Sequence, residues 1–178
     1  MSAPVKLVVG LGNPGERYAG TRHNIGRMVV GRCVEERGAE LLQEPTDRMP
    51  SRLHRAGTVL FAEPAIYMNQ SGTEVHRLMR YYKLEPAGLL IVSDDLDLPF
   101  GTLRLRDSGG SGGHKGLAHI AEQLGTGEFS RLRVGIGRPP DGMDSSGYVL
   151  QRFSEAEAER LPDVVLDGAR QVTEWLDV

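Results

Sequence analysis

The sequence predicts a single α/β domain, in which a twisted mixed β-sheet is flanked by helices on both faces. Three observations predict this fold. Short apolar runs alternate with amphipathic helical patterns, turn residues separate them, and 178 residues is a typical length for one domain. We therefore expect residues 1–178 to form one domain. In such sheets ligands bind beyond the carboxyl ends of the strands, so we expect the functional site there.

The predicted strands are short apolar or alternating runs bounded by turn residues. They are expected at residues 6–10, 52–55, 58–63, 89–92, 102–106 and 131–137. Ala56-Gly57 separates two of these runs and predicts a hairpin. The polar residues 43–50 are expected to form a loop.

The predicted helices have apolar residues at helical spacing and recognisable first turns. They are expected from Thr21 to Gly38, from Ser71 through Tyr82, after Gly116 through Leu124, and from Ser154 to about Leu176. Thr21 is expected to cap the first helix. Ser71 with Glu74, and Ser154 with Glu157, have the spacing of capping boxes.

The composition indicates a soluble protein of the cytoplasm. Hydrophobic residues make up 39% and charged residues 25% of the chain. No apolar run reaches the roughly 20 residues of a membrane span, and we expect no secretory leader and no membrane association. A single cysteine, Cys33, cannot form an internal disulfide, which is typical of a reducing compartment. Cys33 lies in a helical apolar stripe and is expected in the core.

Charge is distributed unevenly along the chain, although the net charge is only −3. Residues 101–138 contain six Lys or Arg and three Asp or Glu. Residues 139–178 contain three Lys or Arg and nine Asp or Glu. A basic middle segment beside an acidic one is consistent with a local anionic ligand, and equally with an unevenly charged solvated surface.

The glycines of residues 10–15 match the G-x-G-x-x-G spacing of dinucleotide-binding proteins. That function requires a helix directly after the glycine turn and an acidic residue at the end of a second strand. Here the next predicted helix begins only at Thr21, and the acidic residues Glu35 and Glu36 lie within it. We therefore interpret these glycines as a turn after a strand and exclude a nicotinamide enzyme.

A second glycine cluster, SGGSGGHKG, occupies residues 108–116. It places Ser111 in a G-x-S-x-G pattern, but no histidine follows His119, so the usual Ser–acid–His order fails. No Gly-Lys-Ser/Thr is present, which excludes a P-loop. Glycine N–H groups beside Lys115 suit a phosphate. We favour a ligand-contacting loop over a flexible surface loop.

No arrangement of histidines predicts a metal site, because His114 and His119 are five residues apart and do not share a helical face. Asp94, Asp95 and Asp97 follow a predicted strand. One interpretation is that the three carboxylates bind a divalent ion. The other is that one of them is an acid that orients a catalytic group, while the remaining two cap turns.

In isolation, His23 would be taken for a surface residue and Asn69 for a turn residue.

Five stretches, in their order and spacing, resemble the bacterial peptidyl-tRNA hydrolase family. They are VVGLGNPGERYAGTRHNIG, PAIYMNQSG, VSDDLDLPFG, SGGSGGHKGL and RLRVGIGRP, within residues 8–139. The resemblance implies a monomeric esterase that cleaves the bond between a peptide and the 3′ end of tRNA. It also implies peptidyl-tRNA as partner, bound through its acceptor arm and 3′ end, and no metal or organic cofactor.

The resemblance also implies roles for individual residues. His23 corresponds to the catalytic base, Asp94 to the acid that orients it, and Asn13 to a residue that distinguishes blocked from free aminoacyl groups. Substrate contacts correspond to Tyr18, Tyr67, Asn69 and Lys115, and tRNA phosphate contacts to Arg104, Arg106 and Arg133.

The sequence departs from the family pattern in two places. Lys115 stands where the family usually has asparagine, which replaces a donor and acceptor by a donor-only cation. The chain also ends at Val178 without the basic tail of many relatives, so we expect weaker tRNA affinity and greater dependence on the basic middle segment. Two alternatives remain open: a non-catalytic RNA-binding protein of the same fold, and a serine hydrolase at Ser111.

Overall fold

The structure is a computed structural model that describes residues 2–178, and its centre is a seven-stranded mixed sheet. The strands are β1 (Lys6–Gly10), β2 (Glu40–Gln43), β3 (Ser51–Ala56), β4 (Val59–Pro64), β5 (Leu89–Asp95), β6 (Leu103–Arg106) and β7 (Ser130–Gly135). They are arranged in the order β2-β3-β4-β1-β5-β7-β6. The predicted fold class is confirmed.

The four central strands, β4, β1, β5 and β7, run parallel to one another. The outer strands β2, β3 and β6 are antiparallel to their neighbours. The carboxyl ends of the four parallel strands therefore meet at one edge of the sheet, and the segments that follow these strands are brought together there.

The helices cover both faces of the sheet. They are α1 (Glu16–Ala19), α2 (Ile25–Arg37), α3 (Ser71–Tyr81), α4 (Lys115–Leu124), α5 (Ser145–Val149) and α6 (Glu155–Leu176). Successive side chains of a strand point to opposite faces. Accordingly, Leu7 and Val9 pack with apolar residues of α3 and α4, whereas Val8 packs with those of α2 and α6. None of the helices within residues 2–178 is long and apolar enough to cross a membrane.

Several predicted local features are confirmed. β3 and β4 form the hairpin around Ala56 and Gly57. Cys33 is buried in the core, and burial raises the pKa of its thiol to about 12. At the start of α6, the Ser154 side chain accepts a hydrogen bond from the Glu157 N–H at 3.2 Å, and the Glu157 carboxylate accepts one from the Ser154 N–H at 2.9 Å.

The predicted capping box at Ser71 and Glu74 is wrong. Ser71 is the first residue of α3, and its hydroxyl donates to the carbonyl oxygen of Met68 at 2.7 Å. Glu74 is buried and accepts a hydrogen bond from the Ser51 hydroxyl of β3 at 2.7 Å. A local pattern could not show that this carboxylate has a partner from a distant strand.

The segment between β1 and α2 also differs from the prediction. A one-turn helix, α1, follows Gly15 directly, although the sequence predicted no helix there. Thr21 does not cap α2: its hydroxyl donates to the Tyr18 carbonyl, and a 3₁₀ turn at Arg22–Asn24 precedes α2. Two further short elements, β2 and α5, were not predicted.

The first turn of α2 lies directly against the central strands. A Cβ atom added to Gly26 would be only 2.2 Å from the carbonyl oxygen of Val92 in β5, and one added to Gly10 would be 2.6 Å from the Gly26 oxygen. Only glycine permits this approach. It holds the start of α2, and the residues just before it, at the carboxyl edge of β1 and β5.

We expect Ser154→Ala to lower the free energy of unfolding by about 1 kcal/mol, because the change removes one half of the capping box of α6. Urea denaturation of the variant and the wild type measures this difference. Ser108→Ala, at an exposed serine outside the helices, is the control and should leave the denaturation midpoint unchanged. Equal midpoints for Ser154→Ala and the wild type would show that the capping box does not stabilise the helix.

Candidate active site

The carboxyl edge of the parallel strands contains a cleft of about 830 Å³. Segments that follow β1, β4 and β5, together with the start of α4, contribute its walls. Eight of the ten residues predicted as functional line it: Asn13, Tyr18, His23, Tyr67, Asn69, Asp94, Lys115 and Arg133. The other two, Arg104 and Arg106, lie outside it on β6.

His23 and Asp94 are 71 positions apart in the chain and are in direct contact. The Nδ1 atom of His23 lies 2.9 Å from both carboxylate oxygens of Asp94. The Asp94 side chain is only 2% exposed, whereas the His23 side chain is 14% exposed and faces the cleft. An ionised carboxylate only accepts hydrogen bonds, so Nδ1 of His23 bears the proton and Nε2 is left as the basic nitrogen.

The residues on both sides of His23 fix its position. Arg22 is buried and forms an ion pair with Glu157 of α6 at 2.7 Å. On the other side, the amide of Asn24 binds the backbone of Asn13 twice: it accepts from the N–H at 2.9 Å and donates to the carbonyl at 3.0 Å. The 3₁₀ turn that contains His23 is therefore attached to α6 and to the loop after β1.

A second histidine, His114, shares the same carboxylate. Its Nε2 atom lies 2.9 Å from Oδ1 of Asp94, and its Nδ1 atom accepts the backbone N–H of Leu117 at 3.2 Å. Because Nδ1 accepts a hydrogen bond, the proton of the neutral ring is on Nε2 and is donated to Asp94. The spacing of the histidines bears on His114 only as a metal ligand, so this contact was not predicted. The place of His114 as the N-cap of α4, after a glycine loop, was the available signal.

The environment of Asp94 favours its ionised form. Burial by itself raises the pKa of this carboxyl, but the hydrogen bonds and electrostatic attraction of the His114 and His23 rings outweigh burial. Together they hold the pKa of Asp94 well below its ordinary value. Asp94 is therefore an acceptor for two imidazole N–H groups rather than a proton donor.

His23, Asp94 and His114 are also the described residues whose arrangement comes nearest to a metal site. One potential ligand atom from each lies within 4.8 Å of the others. Coordination through Nε2 of His114 would require its proton to move to Nδ1, which faces the N–H of Leu117. Two donors would then oppose each other, so this set favours hydrogen bonding over metal binding.

The neighbouring carboxylates have separate partners. Oδ1 of Asp95 accepts the backbone N–H of Asp97 at 2.8 Å, and Asp97 forms an ion pair with Arg138. The other Asp95 oxygen lies 3.5 Å from Arg133. Of the two possibilities left open by the sequence, this geometry favours one orienting acid, Asp94, over a shared divalent ion.

Asn13 has a fixed orientation at the floor of the cleft. Its Oδ1 atom accepts the backbone N–H of Met68 at 2.8 Å, and the residue is only 7% exposed. Since the amide oxygen is occupied, the NH₂ group is the part of the side chain that can donate to a ligand. Asn69 follows Met68 directly and is exposed at the rim, beside Tyr67, which is 59% exposed.

The predicted basic residues lie together on one face of the sheet. The register of β6 and β7 places Arg104 opposite Arg133, and Arg106 opposite Arg131. Arg104 and Arg106 are exposed, and Arg133 is partly exposed. Arg131, which was not predicted as a functional residue, is only 1% exposed.

Ser111 lines the cleft but lacks the contacts of a nucleophile. Within residues 2–178, no histidine forms a hydrogen bond with its hydroxyl, and its backbone carbonyl instead accepts the N–H of His114 at 3.0 Å.

The glycines of residues 10–15 lead into the single turn of α1 and on to His23. Exposed Glu35 and Glu36 lie within α2, as expected, and not at the end of a strand.

A histidine–carboxylate pair at the carboxyl edge of an α/β sheet is an arrangement typical of hydrolases that activate water or a hydroxyl group. The comparisons with known proteins agree with this class. The model of the peptidyl-tRNA hydrolase family matches residues 7–178, and the chain belongs to this family.

Relatives and solved structures match most of the chain. A peptidyl-tRNA hydrolase of Chloroflexus aggregans is 49% identical over 161 residues, which cover 89% of this chain and 86% of the relative. A peptidyl-tRNA hydrolase of Mycobacterium marinum is 44% identical, and the match covers 99% of this chain and 92% of the relative. The crystal structure of peptidyl-tRNA hydrolase from Acinetobacter baumannii superimposes with a TM-score of 0.81 at 33% identity, covering 99% of this chain and 95% of that one.

We expect Asp94 to remain ionised at pH 4, where an ordinary aspartate is about half protonated. Because its pKa is lower in the folded than in the unfolded state, the ionised group stabilises the fold above the unfolded value of about 3.9. This contribution is lost as the pH falls through the folded-state pKa. Carbon-13 NMR of the carboxyl groups as a function of pH measures the titration midpoint of Asp94, and the Asp94→Asn variant identifies its resonance. A midpoint at or above pH 4 would contradict the geometry.

Proposed function

We propose that this protein hydrolyses the ester bond between the peptide, or an N-blocked aminoacyl group, and the 3′ end of tRNA. The reaction would recycle tRNA from stalled or aborted translation. The observation that supports this most directly is the contact of His23 with Asp94 at the wall of an open cleft. Membership of the peptidyl-tRNA hydrolase family supplies the substrate.

His23 is the general base in this proposal. Its Nδ1–H group donates to Asp94, so Nε2 is free to take a proton from a water molecule in the cleft. The resulting hydroxide adds to the ester carbonyl carbon, and the carbonyl π electrons move to oxygen. Asp94 stabilises the imidazolium that forms and keeps the ring in the correct tautomer.

The second half of the reaction returns the proton. When the tetrahedral intermediate collapses, the bond between the carbonyl carbon and the ribose 3′ oxygen breaks. The leaving oxygen takes the proton from the His23 imidazolium, which regenerates the neutral base. The products are the free carboxyl group of the peptide and the 3′ hydroxyl group of the tRNA.

His114 assists by holding Asp94. Its Nε2–H bond to Oδ1 fixes the carboxylate and helps to keep its pKa low. A weakly basic carboxylate orients His23 without removing its Nδ1 proton. We therefore add His114 to the residues carried over from the family as a positioning residue.

Asn13 and Asn69 are the proposed amide contacts of the substrate. The free NH₂ group of Asn13 is a suitable donor to the developing oxyanion or to the first peptide carbonyl, which only a blocked substrate offers. Tyr18 and Tyr67 line the same cleft and present rings and hydroxyl groups to the peptide or to the RNA end.

Lys115 begins α4 at the edge of the cleft. An ammonium group there is suited to a phosphate of the tRNA 3′ end, where the family's usual asparagine would donate and accept hydrogen bonds. The alternative is that a water molecule takes the place of the amide.

The arginines outside the reaction centre are proposed to position the tRNA. Arg104 and Arg106 are exposed on the edge strand, and Arg133 connects them to the cleft. Contacts with phosphates carry no sequence information, which suits a protein that must accept many tRNAs. A net charge of −3 permits this because only a local surface is basic.

The proposed working unit is residues 1–178 as one domain and a monomer in the cytoplasm, without a metal or an organic cofactor. Activation of water by His23 requires neither, since a histidine has an ordinary pKa of about 6.5 and is a suitable base at neutral pH.

One alternative remains: a protein of this fold that binds RNA without cleaving it. Lys115 in place of asparagine is the one observation that favours it. The contact of His23 with Asp94 argues against it. Binding of tRNA without release of the acyl group would favour this alternative, and inhibition by an organophosphate would instead favour a nucleophile at Ser111.

We expect His23→Ala to reduce the rate of hydrolysis of N-acetyl-aminoacyl-tRNA by at least about 100-fold, because it removes the general base. Release of the radiolabelled acyl group measures the rate. His54→Gln, on β3 outside the cleft, is the control and should retain the wild-type rate. Retained activity in His23→Ala would refute the assignment of the base.

We expect Arg104→Ala and Arg133→Ala each to reduce the salt dependence of tRNA binding, because each removes one phosphate contact. The slope of log K against log salt concentration should become less negative by about 1 per arginine. A fluorescence titration with non-hydrolysable substrate between low and moderate salt measures it. Arg32→Ala, on the exposed surface of α2, is the control. Unchanged slopes in both test variants would exclude these phosphate contacts.

A further inference from the structure

Arg131 of β7 is a buried cation that the proposed reaction does not use. It is 1% exposed, and within residues 2–178 no carboxylate oxygen lies within 4.0 Å of its guanidinium group. A buried charge is costly unless it is well hydrogen-bonded. Its partners should therefore indicate why the charge is there.

Backbone carbonyl groups bind both terminal nitrogens of this guanidinium, whereas its buried Nε has no hydrogen-bond partner among residues 2–178. Nη1 donates to the carbonyl oxygen of Gly110 at 3.0 Å, and Nη2 donates to those of Gly127 at 2.7 Å and Phe129 at 3.3 Å. The group also lies over the ring of Phe129, 4.2 Å from its centroid. Arg131 thus connects the segment before its own strand to residues 109–113, which we name the glycine loop.

The glycine loop has little means of fixing itself. Four of its five residues are glycine, and Gly109, Gly112 and Gly113 have φ values of 149°, 59° and 82°. Such residues lose more conformational freedom on ordering than any others. The loop nevertheless ends at His114, whose ring must meet Asp94 at 2.9 Å.

A second arginine reaches the same carbonyl from the solvent side. Nη2 of Arg133 donates to the Gly110 oxygen at 2.7 Å, and its Nη1 lies 3.5 Å from Asp95. The Arg133 side chain is 20% exposed and lines the cleft. Under the proposed function, a tRNA phosphate bound by Arg133 would compete with Gly110 for its N–H groups, whereas buried Arg131 is out of reach of a phosphate.

We propose that Arg131 is a positioning residue for the reaction: it holds the glycine loop so that His114 stays directed at Asp94, whether or not Arg133 has engaged the tRNA. The inference rests on the proposed function and adds a division of roles within β7. Arg133 contributes to substrate binding, and Arg131 contributes to the geometry of the catalytic centre.

Arg131→Met and Arg133→Met form a matched pair that separates the two roles. Arg131→Met should lower kcat by about 10- to 100-fold, the range expected for a misplaced catalytic group, and leave KM close to the wild-type value. Arg133→Met should raise KM with little change in kcat. Steady-state hydrolysis of N-acetyl-aminoacyl-tRNA measures both, and thermal denaturation of each variant reports whether it is folded.

Ring nitrogen-15 NMR tests the geometry without substrate. His114 and His119 each accept a backbone N–H at Nδ1, from Leu117 and Gly72, and both should show protonated Nε2 in the wild type. Arg131→Met should change the ring signals of His114 and leave those of His119 unchanged. If Arg131→Met does not fold, Arg131→Lys provides the comparison, with smaller changes in the same direction.

Two results would overturn the inference. One is a rise in KM with unchanged kcat in the Arg131 variant, which would make this residue a phosphate contact. The other is an unaltered His114 ring spectrum. Failure of the wild type to release any acyl group would instead refute the proposed function, and the NMR comparison would still decide whether Arg131 positions His114.

Discussion

The arrangement of the site depends on one buried carboxylate, Asp94, that is shared by two imidazoles. A buried ionised group is unfavourable without hydrogen bonds, and the rings of His23 and His114 supply them at 2.9 Å. The three residues come from the turn before α2, the end of β5 and the start of α4. The carboxylate therefore constrains three separate parts of the fold, and the fold in turn maintains the ionised state that the proposed mechanism uses.

The sequence predicted the sheet, its main helices and a site at the carboxyl ends of the strands, because the apolar runs of the strands are clear. Asn13 follows β1 and Asp94 lies at the end of β5, and both line the cleft at that edge. The sequence could not predict partners that depend on tertiary contacts. Glu74 was assigned to a local capping box, but its Oε1 atom accepts the hydroxyl of Ser51 of β3 and its Oε2 atom accepts from Arg77. His114 was judged by its spacing from His119, although its contact with Asp94 depends on the path of a glycine loop that has no periodic pattern.

β7 shows how a strand can combine structural and surface roles. Arg131 and Arg133 are two positions apart and point to the same face, so sequence periodicity does not distinguish them. The difference arises because the segment containing Gly127 and Phe129 covers Arg131 and leaves Arg133 at the cleft. The family resemblance predicted Arg133 as a contact of the tRNA phosphates. Only the structure showed that Arg131 is buried against backbone carbonyl groups.

The position of β6 at the end of the sheet has a consequence for solubility. An outermost strand leaves backbone N–H and carbonyl groups unpaired, and another chain can add to it as a further strand. Arg104 and Arg106 project from this strand, and two such strands brought side by side would place like charges close together. The side chains proposed to meet RNA therefore also oppose self-association, and removing them for any purpose increases the tendency of the protein to aggregate.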